Sequence, residues 1–187
     1  MRLFVGLDLS DEIRTALAGA AATSGAAVGT LAWTVPADLH MTLQFLGEVG
    51  VEHEPLITRA LRSVSCEPFA LLLAGLDVFP DRRRPRVLWA GVEPTAALDD
   101  LVTRIDSVLG PLGFVRETRR FHPHITLAKT RTPRMLAGLL PQLATNRPVW
   151  GRLPVETLVL FETDPTAPPG APHYRRRAHF ALARRPT

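Results

Sequence analysis

Cysteine, lysine and long apolar runs are nearly absent from this 187-residue sequence. The single Cys66 excludes an internal disulfide, and the lack of a thiol cluster excludes a cysteine-bound zinc or iron-sulfur site. No window approaches the length of a transmembrane span, and the N-terminal apolar run is only as long as a strand before acidic residues follow. We therefore expect a cytoplasmic protein with no signal peptide and no membrane association.

The rest of the composition is typical of a compact enzyme. Hydrophobic residues make up 46% of the chain and charged residues 21%, which is enough for one good core. The chain is too short for two large domains. We expect residues 1–187 to form a single domain with two lobes and to act as a monomer.

Basic residues are unusual in kind and in grouping, because all but Lys129 of the 22 are arginine. Arginine binds phosphate with a planar fork and stacks on nucleobases, although a genome rich in G and C would favour it too. The clusters are Arg82, Arg83, Arg84 and Arg86, then Arg119 and Arg120, then Arg175 to Arg177. Our hypothesis is that they rim one basic groove, and the alternative is that each is a solvated loop charge.

A four-residue string, His-x-Thr-Leu, occurs at position 40 and again at position 124. Successive side chains of a strand alternate between its faces, so His40 and Thr42 point the same way, as do His124 and Thr126. Each copy thus predicts a half-buried strand that offers one imidazole and one hydroxyl. By the same alternation, Met41, Leu43 and Phe45 form the apolar face of the first copy, and Gln44 shares the polar face.

Two facing imidazoles can exchange protons near neutral pH, and two hydroxyls can donate hydrogen bonds to phosphate oxygens. The repeated motif therefore predicts a phosphodiesterase site. Metal catalysis is the competing interpretation, because His122 and His124 share a strand face. Since Glu117 is the nearest carboxylate and none has ligand spacing, we expect no metal and no cofactor.

The segments around both motifs resemble a known family. WTVPADLHMTLQFLG (33–47) and FHPHITLAK (121–129) look like the two signature segments of the two-histidine phosphoesterases. Within that superfamily the chain is most similar to the bacterial and archaeal RNA 2',3'-cyclic phosphodiesterases, also called 2'-5' RNA ligases. The resemblance runs from RLFVGLDL through FPDRRRPRVLWAGV to Pro172-His173-Tyr174, and so covers nearly the whole chain.

The resemblance implies an α+β fold with two antiparallel sheets, outer helices and a pseudo-twofold axis, with the active site in the groove between two lobes. The hydrophobic pattern agrees, and each half of the sequence offers helices and strands around one motif strand. Strands are predicted at about 2–9, 39–46, 69–79, 86–92, 152–161 and 174–182, besides the second motif strand. Helices are predicted after Ser10, through Leu56, Ala60 or Leu61 and Val64, from Leu98 to Leu112, and from Pro133 to Leu143.

The resemblance also implies a reaction, the opening of a 2',3'-cyclic phosphate at an RNA or nucleotide end to give a 2'-phosphomonoester. His40 would be the general acid on O3' and His124 the general base on water. Thr42 and Thr126 would hold the nonbridging oxygens. With a 5'-hydroxyl in place of water, the reverse step would join RNA ends through a 2'-5' linkage.

Further candidates for substrate contact are Gln44, His122, Tyr174, Arg84 and Arg86. Lys129 stands where the family commonly has arginine, and because strand alternation places it opposite His124, we expect no phosphate contact from it. Two alternatives stay open. One is a non-catalytic nucleotide-binding or RNA-binding module, and the other is a phosphodiesterase for small cyclic nucleotides or a cyclic ADP-ribose phosphate.

Overall fold

A computed structural model of the chain describes residues 1–25, 31–115, 121–137, 147–168 and 170–183. Within these ranges an antiparallel sheet of nine strands carries four helices, which confirms the α+β class. The strands are β1 (Arg2–Asp8), β2 (Ala32–Trp33), β3 (His40–Glu48), β4 (Phe69–Phe79), β5 (Val87–Val92), β6 (His124–Lys129), β7 (Val149–Val155), β8 (Thr157–Thr163) and β9 (Tyr174–Ala181). The helices are α1 (Asp11–Gly25), α2 (Glu54–Arg62), α3 (Ala96–Leu109) and α4 (Pro133–Ala137).

The sheet is nearly split between its two motif strands. Its order is β7-β4-β5-β6-β3-β1-β8-β9, and β2 pairs with the free part of β6. Strands β3 and β6 are paired at one position, Met41 with Ile125. We call β1, β3, β8 and β9 lobe 1, and β2, β4, β5, β6 and β7 lobe 2. The two-lobed arrangement is thus confirmed, with the two motif strands adjacent at the centre of the sheet, one on the inner side of each lobe.

The lobes do not correspond to the two halves of the sequence, contrary to the prediction. The segment predicted as one strand at about 152–161 is two strands, β7 in lobe 2 and β8 in lobe 1. The chain passes from lobe 2 to lobe 1 at Glu156, whose carbonyl accepts a hydrogen bond from Leu182 N. A continuous run of strand-forming residues on both sides of this crossing hides it from hydrophobic periodicity.

Helix positions follow the sequence with one exception. Ser10 caps α1, Thr95 caps α3 by accepting from Leu98 N, and Gly113 ends the turn after α3 with a φ of 89°. In and just after α2, Leu61 and Val64 are buried as predicted, but Leu56 is 50% exposed and the buried residue in its place is Ile57. The predicted extension of α4 beyond 137 lies outside the described residues, as do Arg119 and Arg120.

Helices cover the backs of the lobes and leave the motif strands open in front. Helices α2 and α3 pack on each other and contact β9 and β3 of lobe 1, whereas α1 contacts β7 of lobe 2. Two glycines allow neighbouring strands to approach closely, Gly6 of β1 to the motif strand β3 and Gly91 of β5 to β4. A Cβ atom would lie 2.7 Å from Met41 O at Gly6 and 2.4 Å from Ala74 O at Gly91, so a larger residue would push the strands apart. In the part of the chain that the structure describes, no helix has the length and hydropathy needed to cross a membrane.

Candidate active site

Each motif strand carries a bulge at its leucine. In β3, Thr42 pairs with Gly6 and Gln44 with Val5, so that Leu43 is the extra residue. In β6, Thr126 pairs with Trp89 and Ala128 with Leu88, and the extra residue is Leu127. An extra residue reverses the alternation of faces beyond it.

The reversal decides which side chains face the groove between the lobes. The groove has a volume of about 610 Å³ and is lined from β3 by His40, Thr42 and Phe45, and from β6 by His124, Thr126 and Lys129. The remaining lining residues are Arg2, Leu3, Phe4, Thr34, Asp38, Gly47, Thr163 and Tyr174. The bulges therefore give each strand three groove side chains at the same spacing, which are His, Thr and the third residue after Thr.

The single pair between β3 and β6 is the centre of this arrangement. Met41 and Ile125 are fully buried behind the sheet, so their sequence neighbours point into the groove. Counting one residue outward from the pair, His40 lies across from Thr126, and Thr42 lies across from His124. The structure thus brings together the four residues that the repeated motif singles out.

His40 is held in one tautomer by the main chain. Its Nδ1 donates a hydrogen bond to the carbonyl oxygen of Asp38 at 2.6 Å, so Nε2 of the neutral ring carries the lone pair. The hydroxyl of Thr42 donates to this Nε2 at 3.1 Å. The rings of Phe4, Phe161 and Tyr174 lie around it, at centroid distances of 4.8, 5.4 and 4.7 Å. Burial lowers the pKa of His40 from 6.5 to about 4, against the opposing effect of Asp38.

His124 repeats this geometry in lobe 2. Its Nδ1 donates to the carbonyl oxygen of His122 at 2.7 Å, which again leaves Nε2 to meet a ligand. The rings of Phe79 and Trp89 lie at centroid distances of 4.9 and 5.8 Å. Burial also lowers the pKa of His124. Both imidazoles are therefore neutral at pH 7 in the free groove, and each has one nitrogen available for a proton.

Asp38 is a site residue that the sequence reasoning missed. Its side chain is only 4% exposed, and its carboxylate accepts hydrogen bonds from the backbone N–H groups of His173 and Tyr174 and from His173 Nδ1. A buried carboxylate is tolerated when such donors surround it. Asp38 thereby fixes Tyr174 beside His40, while its main-chain carbonyl fixes the His40 ring.

The turn that contains Asp38 is itself tied down by an ion-pair cluster. Arg14 donates to the carbonyl of Leu39 and to Asp8, and Arg176 donates to the carbonyl of Ala37 and to Asp8. Burial alone would raise the pKa of Asp8, but the hydrogen bonds from Arg176 and Arg14 lower it to about 2. Arg176 therefore supports the turn before His40.

Three expectations that relied on strict alternation were wrong because of the bulges. Gln44 is 4% exposed, does not line the groove, and donates from Nε2 to Phe114 O behind the sheet at 2.9 Å. Phe45, expected on the apolar side, is 67% exposed and lines the groove. Lys129, expected opposite His124, lines it as well. Comparing the two motif copies, which put Phe45 and Lys129 at the same offset, was the signal that could have found both.

The remaining candidates differ in their distance from the groove. Tyr174 lines it, whereas His122 is exposed outside it and contributes its carbonyl to His124. Arg84 and Arg86 are exposed in the loop between β4 and β5 and are not part of the lining. Arg175 and Arg177 do not line the groove either. They form ion pairs with Asp164, Glu54 and Glu162.

No group of three or more His, Cys, Asp or Glu side chains able to hold a metal ion occurs among the described residues. The groove combines two imidazoles and the hydroxyls of Thr42 and Thr126 with the ammonium group of Lys129 and the guanidinium of Arg2, beside an exposed aromatic ring. These groups suit a ligand that has an anionic phosphate group for the hydrogen-bond donors and a flat ring that can stack on the aromatic side chain.

Comparisons with known proteins agree with this geometry. The family model of the 2'-5' RNA ligase superfamily matches residues 32–167. An RNA 2',3'-cyclic phosphodiesterase of Archaeoglobus fulgidus is 36% identical over 131 residues, which cover 70% of this chain and 73% of that protein. One of Geobacillus stearothermophilus is 34% identical over 128 residues, which cover 67% of this chain but only 41% of that longer protein.

Solved structures match over almost the full length. TT0787 of Thermus thermophilus superposes with a TM-score of 0.81 at 29% identity, covering 99% of this chain and all of the other, 100%. LigT of Escherichia coli complexed with 3'-AMP superposes with a TM-score of 0.76 at 27% identity, covering 97% of each chain. With the motif pair at the centre of the groove and a family match over most of the sequence, the chain belongs to the 2'-5' RNA ligase superfamily.

Proposed function

We propose that this protein is an RNA 2',3'-cyclic phosphodiesterase that hydrolyses the cyclic phosphate at an RNA end to a 2'-phosphomonoester without a metal ion. The observation that carries the proposal is the pairing of Met41 with Ile125, which sets two His-Thr pairs across one groove. The names of the relatives from Archaeoglobus fulgidus and Geobacillus stearothermophilus support the same reaction.

In this mechanism the two histidines have different tasks. His124 takes a proton from the attacking water as general base, and His40 gives a proton to O3' as it leaves. The bond from phosphorus to the water oxygen forms while the bond to O3' breaks. Thr42 and Thr126 donate hydrogen bonds to the nonbridging oxygens, where negative charge is held. With a 5'-hydroxyl in place of water, the reverse of the same chemistry would form a 2'-5' linkage.

The protonation states in the free groove constrain this cycle. Because burial lowers the pKa of His40 to about 4, the ring must gain its proton when substrate arrives. An anionic phosphate beside Nε2 supplies the reason, since a nearby negative charge stabilises the imidazolium. We expect proton uptake on binding of a phosphate-bearing ligand, measurable by calorimetry in buffers that differ in ionisation enthalpy.

Lys129 and Phe45 give the groove a preference for a ligand that carries both a phosphate and a nucleobase. The ammonium of Lys129 attracts the phosphate, and the exposed ring of Phe45 offers a flat surface on which the terminal base can stack. Tyr174 contributes the wall beside His40. We further propose that residues 1–187 form one two-lobed domain that works as a monomer in the cytoplasm.

The test is to incubate the protein in EDTA with an oligoribonucleotide that ends in a 2',3'-cyclic phosphate, and to identify the product end by phosphorus NMR. We expect full turnover to a 2'-phosphate. Loss of activity that zinc or manganese restores would contradict the metal-independent mechanism. Tight binding without turnover would favour the alternative of a non-catalytic binding module. Faster turnover of a small cyclic nucleotide than of the oligoribonucleotide would favour the alternative of a phosphodiesterase for small cyclic nucleotides.

A further inference from the structure

The arginine clusters predicted from the sequence differ in how their charge is used. Arg175, Arg176 and Arg177 form ion pairs with carboxylates of lobe 1 and its connections. In the loops that follow β4 and β6 of lobe 2, four exposed arginines have no carboxylate within salt-bridge distance among the residues that the structure describes, and we call them the basic edge. They are Arg83, Arg84, Arg86 and Arg131.

Neighbouring acidic residues are engaged elsewhere. Asp77 pairs with Arg82 at 3.3 Å. Asp81 accepts hydrogen bonds from the backbone N–H groups of Arg83 and Arg84, at 2.7 and 3.1 Å, and so shapes the loop that carries them. The basic edge therefore has a defined backbone and guanidinium groups that no neighbouring acid neutralises directly.

The basic edge is continuous with the groove. Lys129 lines the groove and pairs with Val87 at the end of the sheet ladder. One residue further along each strand, Thr130 N donates to Arg86 O at 2.9 Å, and Arg86 Nη1 donates to Arg131 O at 3.2 Å. A strand that leaves the groove past Lys129 consequently meets the basic edge next.

We propose that the basic edge binds the phosphodiester backbone of the RNA that precedes the cyclic phosphate, so that the protein prefers an oligoribonucleotide over a mononucleotide. The inference rests on the proposed function of the groove and adds the path of the chain. Guanidinium groups suit this role because they bind phosphate in a planar fork and release counterions from it. The route runs over lobe 2, and not along the ion-paired arginines of β9.

The test uses two variants that lose the same charge. Arg83→Gln, Arg84→Gln and Arg131→Gln together remove most of the basic edge but keep Arg86, whose guanidinium supports the Arg131 carbonyl. Arg59→Gln, Arg62→Gln and Arg152→Gln together form the matched control, since these exposed arginines lie on α2 and β7 outside the groove. The measurement is the dissociation constant of a fluorescent oligoribonucleotide ending in a 2'-phosphate, over a range of salt concentrations.

We expect the basic-edge variant to bind roughly fivefold or more weakly at low salt, and its log–log salt slope to flatten by roughly 2, at about 0.7 for each lost phosphate contact. The control should stay within about twofold of the unmodified protein. Equal dissociation constants and slopes for the two variants would overturn the proposal.

A parallel assay separates this inference from the proposed function. Turnover of a mononucleotide 2',3'-cyclic phosphate, which engages only the groove, should be the same in both variants and in the unmodified protein. If the unmodified protein fails to turn over either substrate, the proposed function is wrong, while the binding comparison still decides whether the basic edge holds RNA.

Discussion

The two lobes present the same motif to the groove but surround it differently. In lobe 1, three aromatic rings enclose His40, and the buried Asp38 ties Tyr174 against it. In lobe 2, the position two residues before His124 is held by the exposed His122. Burial lowers the pKa of both histidines, and in His40 to about 4. The repeated motif thus sets how each imidazole points, and the residues around it set how readily it takes a proton.

The walls of the groove are also unequal at equivalent positions. Three residues after the threonine, lobe 1 places the ring of Phe45 and lobe 2 the ammonium of Lys129. A substrate with a base on one side and a phosphate on the other can satisfy both walls in only one orientation. This difference lets a nearly symmetric groove assign one histidine as acid and the other as base.

The largest expected effect comes from removing either imidazole. His40→Ala and His124→Ala should each lower kcat for a cyclic mononucleotide by on the order of 10²-fold or more, because each removes one proton-transfer group. Arg59→Ala, outside the groove, serves as the control. A histidine variant with near-normal turnover would show that the two lobes do not share the chemistry.

The second largest effect is expected from Asp38, the buried carboxylate that holds Tyr174 in lobe 1. Asp38→Ala removes the acceptor of the His173 and Tyr174 N–H groups, and we expect the free energy of unfolding to fall by roughly 2 kcal/mol. His122→Ala in lobe 2 should change it by less than about 0.5 kcal/mol, because its carbonyl remains. Urea unfolding measures both, and equal losses would mean that Asp38 is not a special anchor.

The unequal walls predict a smaller pair of effects with different signatures. Phe45→Leu should raise KM about tenfold through lost stacking, with an unchanged salt dependence. Lys129→Met should weaken kcat/KM by a similar amount and flatten its salt dependence, since a phosphate contact is lost. Lys129→Arg keeps the charge and should restore most activity. The same salt response in the Phe45 and Lys129 variants would remove the distinction between the walls.

The sequence predicted the site correctly for residues close enough in a strand that side chains alternate regularly between its two faces. No bulge lies between the histidine and the threonine of either copy. His40 with Thr42 and His124 with Thr126 could therefore be placed on one face correctly. Beyond Leu43 and Leu127 the same rule failed, since neither strand taken alone distinguishes a bulged residue from a paired one, and only the equal offset of Phe45 and Lys129 in the two copies gave a sign of it.

Long-range partners were out of reach for a different reason. The Asp38 carboxylate and the N–H groups of His173 and Tyr174 are brought together only when β9 returns to lobe 1. The same return pairs Arg176 with Asp8, and a run of arginines in the sequence gave no sign of it. Charge clusters can therefore be read from a sequence, but whether they are neutralised depends on the topology.

The smallest expected effect tests the proton affinities themselves. Because folding disfavours protonated His40, the unfolded chain binds more protons between about pH 6.5 and pH 4, and stability falls as the pH falls through this window. From pH 6.5 to pH 5.5 this loss should be about 1 kcal/mol. Asp8, with its pKa lowered to about 2, loses its contribution only at lower pH and does not interfere.

His40→Gln should therefore flatten the pH dependence of the unfolding free energy between pH 6.5 and pH 5.5 more than His124→Gln does. Above pH 7 the slopes of both variants and of the unmodified protein should coincide. Equal flattening would mean that the aromatic enclosure of lobe 1 does not set His40 apart.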